Sequence, residues 1–303
     1  MNLKFLNKKV SLSVFLASIF GASALVYSLG YKIAMDKFND VVSFVQEKQK
    51  MYSTLSELDH CVRSEYISDI SESEMLDSLC RGYVNGLQNE SSGYWNKQGY
   101  KEYQDANKKL KPKIEYKKLK DDVAYIKCDK FINDASKDFI DKIDSTFFGG
   151  INNIVLDLRD CEKSSDEEIF KILQHIIPSG DIVSAVNKKN EAEVVCTSTS
   201  SGVDLNFVVL VNGKTCGGAE VLASALKDSK NAKIVGTKTF GNPVRTKKIT
   251  LSDDSVVVVA DADYVTKSGN SIFKKGLTPD VVAENPDDVD IQLQQAVDLI
   301  GKE

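Results

Sequence analysis

Short, unbroken apolar runs separated by helix-forming segments constrain this chain more than any other feature. Ile154-Val155-Leu156 lies inside residues 151–158, and Phe207-Val208-Val209-Leu210-Val211 is apolar throughout. A strand with one wet face alternates in character, whereas a continuous run is covered on both faces and needs helices on either side. Val123–Cys128, Ala232–Gly236 and Ser255–Ala260 read as further strands. Helical patterns over Ser136–Phe147, Ser165–Ile177 and Ala219–Asp228 lie between them, the second stopped by Pro178 and Gly180. This βαβ rhythm predicts an α/β fold with a mostly parallel sheet, whose site lies at the carboxyl ends of the strands.

The segment before this core differs in character. Residues Asp36–Tyr66 place Phe38, Val41, Val42, Phe44 and Val45 along one helical face, and Ser71-x-x-Glu74 opens a helix over Glu72–Leu87. Asn89-Glu90-Ser91-Ser92-Gly93 is a turn cluster, Gln98–Lys108 a short helix, and Lys108–Lys120, with Pro112, a linker or exposed edge. At the start, Lys4, Lys8 and Lys9 precede an uncharged apolar run from Val10 to Tyr31. A run of that length spans a bilayer, which needs about 20 residues, with its basic flank inside. A cleaved signal peptide ending near Ala22-Ser23-Ala24 is the competing reading. Both export the chain. The expected organisation is therefore a cytoplasmic tip and anchor over 1–34, a helical region over 35–110 and a core over 111–303.

The net charge of −5 argues against a nucleic-acid partner, which demands clustered positive charge. Six cysteines occur without a CxxC pair, and with only His60 and His175 no zinc-ligand cluster forms. No metal or cofactor is expected. Cys61 and Cys80 either pair across a helical hairpin or stay reduced.

The turn Val211-Asn212-Gly213-Lys214-Thr215-Cys216-Gly217-Gly218-Ala219-Glu220 joins a strand to a helix. Such a turn offers backbone N–H groups to a nucleophile or an anion, although glycine-rich turns are also common punctuation. Read with its neighbours, the segment resembles the catalytic region of the C-terminal processing peptidases, or tail-specific proteases. Asn212-Gly213, Glu220, Lys227-Asp228, Ile234-Val235-Gly236 and Thr239-Phe240-Gly241 fall in that family's order. So do Leu251-Ser252-Asp253, Tyr264–Ile272 and Lys275-Gly276-Leu277-Thr278-Pro279-Asp280-Val281 downstream, and Leu156-Asp157-Leu158-Arg159 and Gly82–Leu87 upstream. The resemblance covers about residues 50–300 and implies a ClpP/crotonase-like core.

The same register implies that the catalytic residues have been replaced. The family serine stands three residues before the helix-opening glutamate, where this chain has Gly217. The family lysine follows Thr-Phe-Gly, where it has Asn242; the separation, 242 − 217 = 25 residues, is the family's own. Thr246 replaces a supporting glutamine, with Pro243 and Arg245 beside it, and the oxyanion loop reads Asp160-Cys161-Glu162-Lys163. Glycine supplies no nucleophile and an asparagine amide accepts no proton near neutral pH. Acids at 160 and 162 would repel a developing oxyanion. Cys216, helped by Lys238, is the one rescue pair nearby, and an active hydrolase using Cys216 is the alternative. The roughly ten residues from Lys108 to Tyr116 leave no room for the PDZ domain that many members insert there. The resemblance thus implies an exported, membrane-tethered pseudopeptidase that binds an extended peptide or protein segment, or an active paralogue.

Overall fold

The computed structural model describes residues 12–120, 122–286 and 289–300, in two units, 1–72 and 73–303. The first unit holds one helix, α1 (Leu12–Glu65), of 54 residues. The apolar run and the helix expected from Asp36 are continuous, because no proline occurs before Pro112 and Gly21 and Gly30 alone do not break a helix. Lys4, Lys8 and Lys9 lie outside the described residues. Among the described residues no helix is long and apolar enough to cross a membrane, so the expected transmembrane element is not found there. Gly21, Ser23, Ser28 and Gly30 dilute the described part of the run, and Lys32, Asp36 and Lys37 follow within two turns.

In chain order the second unit comprises α2 (Glu72–Asn85), β1 (Gly93–Trp95), α3 (Lys97–Lys109), β2 (Ile114–Lys120), β3 (Val123–Cys128), β4 (Lys130–Phe131) and α4 (Ala135–Phe148). There follow β5 (Asn153–Asp157), β6 (Lys163–Ser164), α5 (Asp166–Ile176), β7 (Gly180–Asn187), β8 (Ala192–Ser198), β9 (Asn206–Val211) and α6 (Gly218–Lys230). The chain continues through β10 (Lys233–Gly236), β11 (Val244–Thr250), β12 (Val256–Thr266), β13 (Val281–Val282) and α7 (Ile291–Ile300).

One sheet has the order β13-β10-β9-β5-β3-β2 and is parallel except for β2, which runs antiparallel at the edge. The apolar runs are its inner strands, and their residues alternate between two cores. Ile126, Leu156, Phe207 and Val209 join Phe139, Ile143, Leu173 and Leu222 on one side. Tyr125, Val155, Val208 and Leu210 join Ala296 and Ile300 on the other. Burial on both faces is why these strands carry no polar alternation. Within the lysine-rich segment Lys108–Lys120, residues 114–120 are the edge strand β2 itself, and its charges suit an edge.

The parallel reading needs one correction. β12 (Ser255–Ala260 in the sequence reading) is not a fourth parallel strand but the spine of a separate antiparallel sheet, β1-β12-β7-β8 with β11 also on β12. Val244–Thr250 and Ala192–Ser198 alternate weakly because most of their residues are exposed, so periodicity marked neither.

The Leu-Asp-Leu-Arg segment ends β5 in a buried ion network. Arg159 donates Nε to Asp157 Oδ1 at 2.9 Å, Nη1 and Nη2 to Asp290 at 2.8 Å each, and Nη1 to Gln292 at 3.0 Å. Tyr125 donates its hydroxyl to Asp157 at 2.7 Å. Partial burial opposes ionisation of Asp290, but the Arg159 guanidinium outweighs it and holds the carboxyl at about 2. The network ties the carboxyl end of β5 to the start of α7. Arg159→Met would take the guanidinium partner from the fully buried Asp157 carboxylate, at a cost of about 3–5 kcal/mol. Urea unfolding is expected to show that loss; an unchanged midpoint would contradict the assignment.

Candidate functional site

The site forms where β9 passes into α6 and where the loop after β10 returns beside it. Thr215 shapes the first turn: its hydroxyl donates to the Leu158 carbonyl at 2.8 Å and accepts the Asn212 N–H at 3.0 Å. Asn212 in turn exchanges two hydrogen bonds with Asp160, at 3.0 and 3.1 Å, and Cys216 N–H reaches the Cys161 carbonyl at 3.1 Å. The turn and the Asp160–Glu162 loop are therefore joined. Asp160 is exposed with a left-handed backbone, Cys161 is buried and Glu162 is exposed.

Gly217 caps α6 with φ +64° and ψ −124°. L-residues enter that region only under strain, which strand-to-helix nucleophile turns characteristically hold, whereas glycine adopts it freely. A Cβ on Gly217 would stand 3.9 Å from the Asn242 carbonyl. The two positions thus face each other, as the motif register implied.

Glu220 holds them there. Its carboxylate is fully buried and accepts Gly217 N–H at 3.1 Å, Asn242 N–H at 2.8 Å, Gly241 N–H at 2.7 Å and the Thr239 hydroxyl. Oε2 takes both Gly217 and Asn242, so one atom spans the two loops. Burial pushes the carboxyl pKa up, and the four donors oppose that shift. Four donors suit the acceptor-only ionised form.

The side chain of Asn242 is engaged elsewhere. Its Oδ1 accepts Asn89 Nδ2 at 2.8 Å, and its Nδ2 donates to Ser91 Oγ at 2.8 Å. Asn89 Oδ1 also accepts Ser91 N–H and Ser92 Oγ–H, each at 3.1 Å, and Ser92 Oγ accepts Ala260 N–H at 3.0 Å. A lysine ammonium, which only donates, cannot give Asn89 Nδ2 an acceptor. Asparagine therefore clips the Asn89–Ser92 loop to the loop after β10.

Ser164, at the end of β6, carried no sequence signal and belongs to the site. Its Oγ accepts Gly218 N–H at 2.8 Å and lies 3.5 Å from where a Cβ on Gly217 would stand. A hydroxyl thus satisfies the N–H of the residue after Gly217. Nothing in the motifs announced the Asn89–Ser91 contact either, since the cluster read only as a turn.

The surroundings of Cys216 do not favour a thiolate. Burial, with Glu220, Glu90 and Glu162 nearby, pushes the Cys216 thiol up to about 12, against a weak opposing contact from Gly217 N–H. A catalytic thiol needs the reverse. Lys238 is exposed, with its Cγ beside Gly276. Thr246 is exposed on β11 next to a bulge. His175 bonds Asp144 at 2.7 Å, roughly 15 Å along α5 from Ser165. His60 belongs to the first unit, and Cys61 and Cys80 are both free thiols.

Asn242→Ala removes the clip and leaves Asn89 and Ser91 short of partners, a loss of about 1–3 kcal/mol. Hydrogen exchange is expected to accelerate in residues 89–92 and not in α4. Unchanged exchange in 89–92 would contradict the clip.

Known proteins carry the same arrangement of segments. Residues 122–283 match the model of peptidase family S41. A probable CtpA-like serine protease of Staphylococcus aureus is 33% identical over 176 residues, 57% of this chain and 35% of that protein. A carboxyl-terminal-processing protease of Synechocystis is 32% identical over 186 residues, 59% of this chain and 44% of that one. The chain therefore spans less than half the length of these relatives. The solved photosystem II D1 C-terminal processing protease superimposes with a TM-score of 0.50 at 28% identity, covering 59% of this chain and 46% of that one. The family match takes in both site loops and more than half of the sequence, and the chain belongs to peptidase family S41.

Proposed function

We propose that this chain is a C-terminal processing peptidase homologue that no longer hydrolyses peptides and serves as a peptide-binding or interaction module. One observation carries the reading. The Glu220 carboxylate holds Gly217 and Asn242 side by side, and neither supplies a nucleophile or a base. The occupied Gly218 N–H and the high Cys216 thiol pKa point the same way. Losing one oxyanion donor alone costs on the order of 100- to 1,000-fold in rate.

The peptide-binding part rests on the antiparallel sheet. β11 leaves the site directly from Asn242 and, among the described residues, pairs only with β12. Its other edge is open to an extended segment of a partner by strand addition. An active paralogue is a second partner of the same kind. With its basic flank and apolar run at residues 4–31, the chain is further proposed to be exported and tethered at the cell membrane, with the core outside.

The test is incubation of the purified chain with an unstructured protein carrying an apolar C-terminus. The substrate is expected to be retained intact, at the rate of a blank, with and without thiol alkylation. Cleavage that Cys216→Ser abolishes would overturn the proposal in favour of a thiol hydrolase.

A further inference from the structure

The first unit leaves a long helix with its apolar side chains in solvent. Over Val41–Val62, α1 presents Val41, Phe44, Met51, Leu55, Leu58 and Val62 at alternating spacings of three and four residues, with Lys48 completing the series. Written as heptads from Val41, these are successive a and d positions across three repeats. Val41, Phe44 and Leu58 are 60%, 55% and 55% exposed. An isolated helix draws most of its stability from burying such a face. A strict 3–4 alternation is the seam that a second identical helix fills by knobs-into-holes packing.

We propose that two copies of this chain associate through α1 in a parallel, in-register coiled coil with this stretch as its seam. Area supports a second copy as the occupant. The exposed seam side chains bring on the order of 400–500 Å² from each helix, so two copies approach the roughly 1,000 Å² that a specific interface needs. Charge supports the register. Lys48 is the one cation in the seam, at an a position, and lies across from the g position of the second helix, which is Glu47. Both lysines gain a carboxylate only in register; a slip of one heptad sets at least one beside Thr54. A lone lysine at an a position specifies alignment at some expense of stability. Lys48 Nζ lies 4.4 Å from the Phe44 ring centroid of its own helix, so its stem already lies along the seam.

Sedimentation velocity of the full chain in mild detergent, at micromolar concentration, is expected to give twice the monomer mass. Leu55→Asp with Leu58→Asp is expected to weaken association by at least about a hundredfold, because it buries unpaired charges. Ser53→Asp, at an f position, is expected to leave it unchanged. In a Cys61→Ser background, Met51→Cys is expected to give a covalent dimer on mild oxidation, since d residues meet across a parallel pair. A wild-type chain of monomer mass, or a dimer indifferent to the Leu55/Leu58 pair, would overturn the proposal. A dimer that fails to cross-link at residue 51 would overturn the parallel register.

Discussion

The site depends on one buried carboxylate. Glu220 is fully buried, and four donors from two separate loops satisfy its carboxylate. An unsatisfied buried carboxylate is costly, so the loops cannot drift from it without exposing or stranding its charge. That requirement is independent of catalysis. It explains how the turn before α6 and the loop after β10 stay together although Gly217 has no side chain and Asn242 accepts no proton. The peptidase scaffold survives because its positioning element is also a folding element.

Around that element the polar groups are satisfied by ordinary hydrogen bonding. Asn242 grips the Asn89–Ser92 loop, and Ser164 occupies the Gly218 N–H. Both contacts satisfy polar groups at the mouth of the α6 turn and the loop after β10. The positive φ of Gly217 fits the same pattern, since glycine releases the backbone strain that a serine there would store.

Much of this was legible in the residues. The unbroken apolar runs, with Leu156 and Val209 buried on one face and Val155 and Leu210 on the other, made the parallel sheet readable, and the motif register put Gly217 and Asn242 in adjacent loops. The antiparallel sheet was not legible, because β8 and β11 are largely exposed and leave no apolar alternation. Ser164 and Asn89 were invisible for a different reason. Each acts through a contact distant in sequence, 54 residues for Ser164 with Gly218 and 153 for Asn89 with Asn242, and no local pattern encodes such a pairing. For Cys216 position alone left two readings open: a helix N-terminus lowers a thiol pKa, yet burial and three carboxylates push this one up.

The central claim is that the two loops are held in place with no activated nucleophile between them. Electrophilic phosphonate and chloromethyl ketone peptide probes, followed by intact-mass measurement and peptide mapping, ask this directly. The account predicts an unmodified mass under conditions that label an active serine peptidase to completion. A stoichiometric adduct on Ser164 or Cys216 would contradict it.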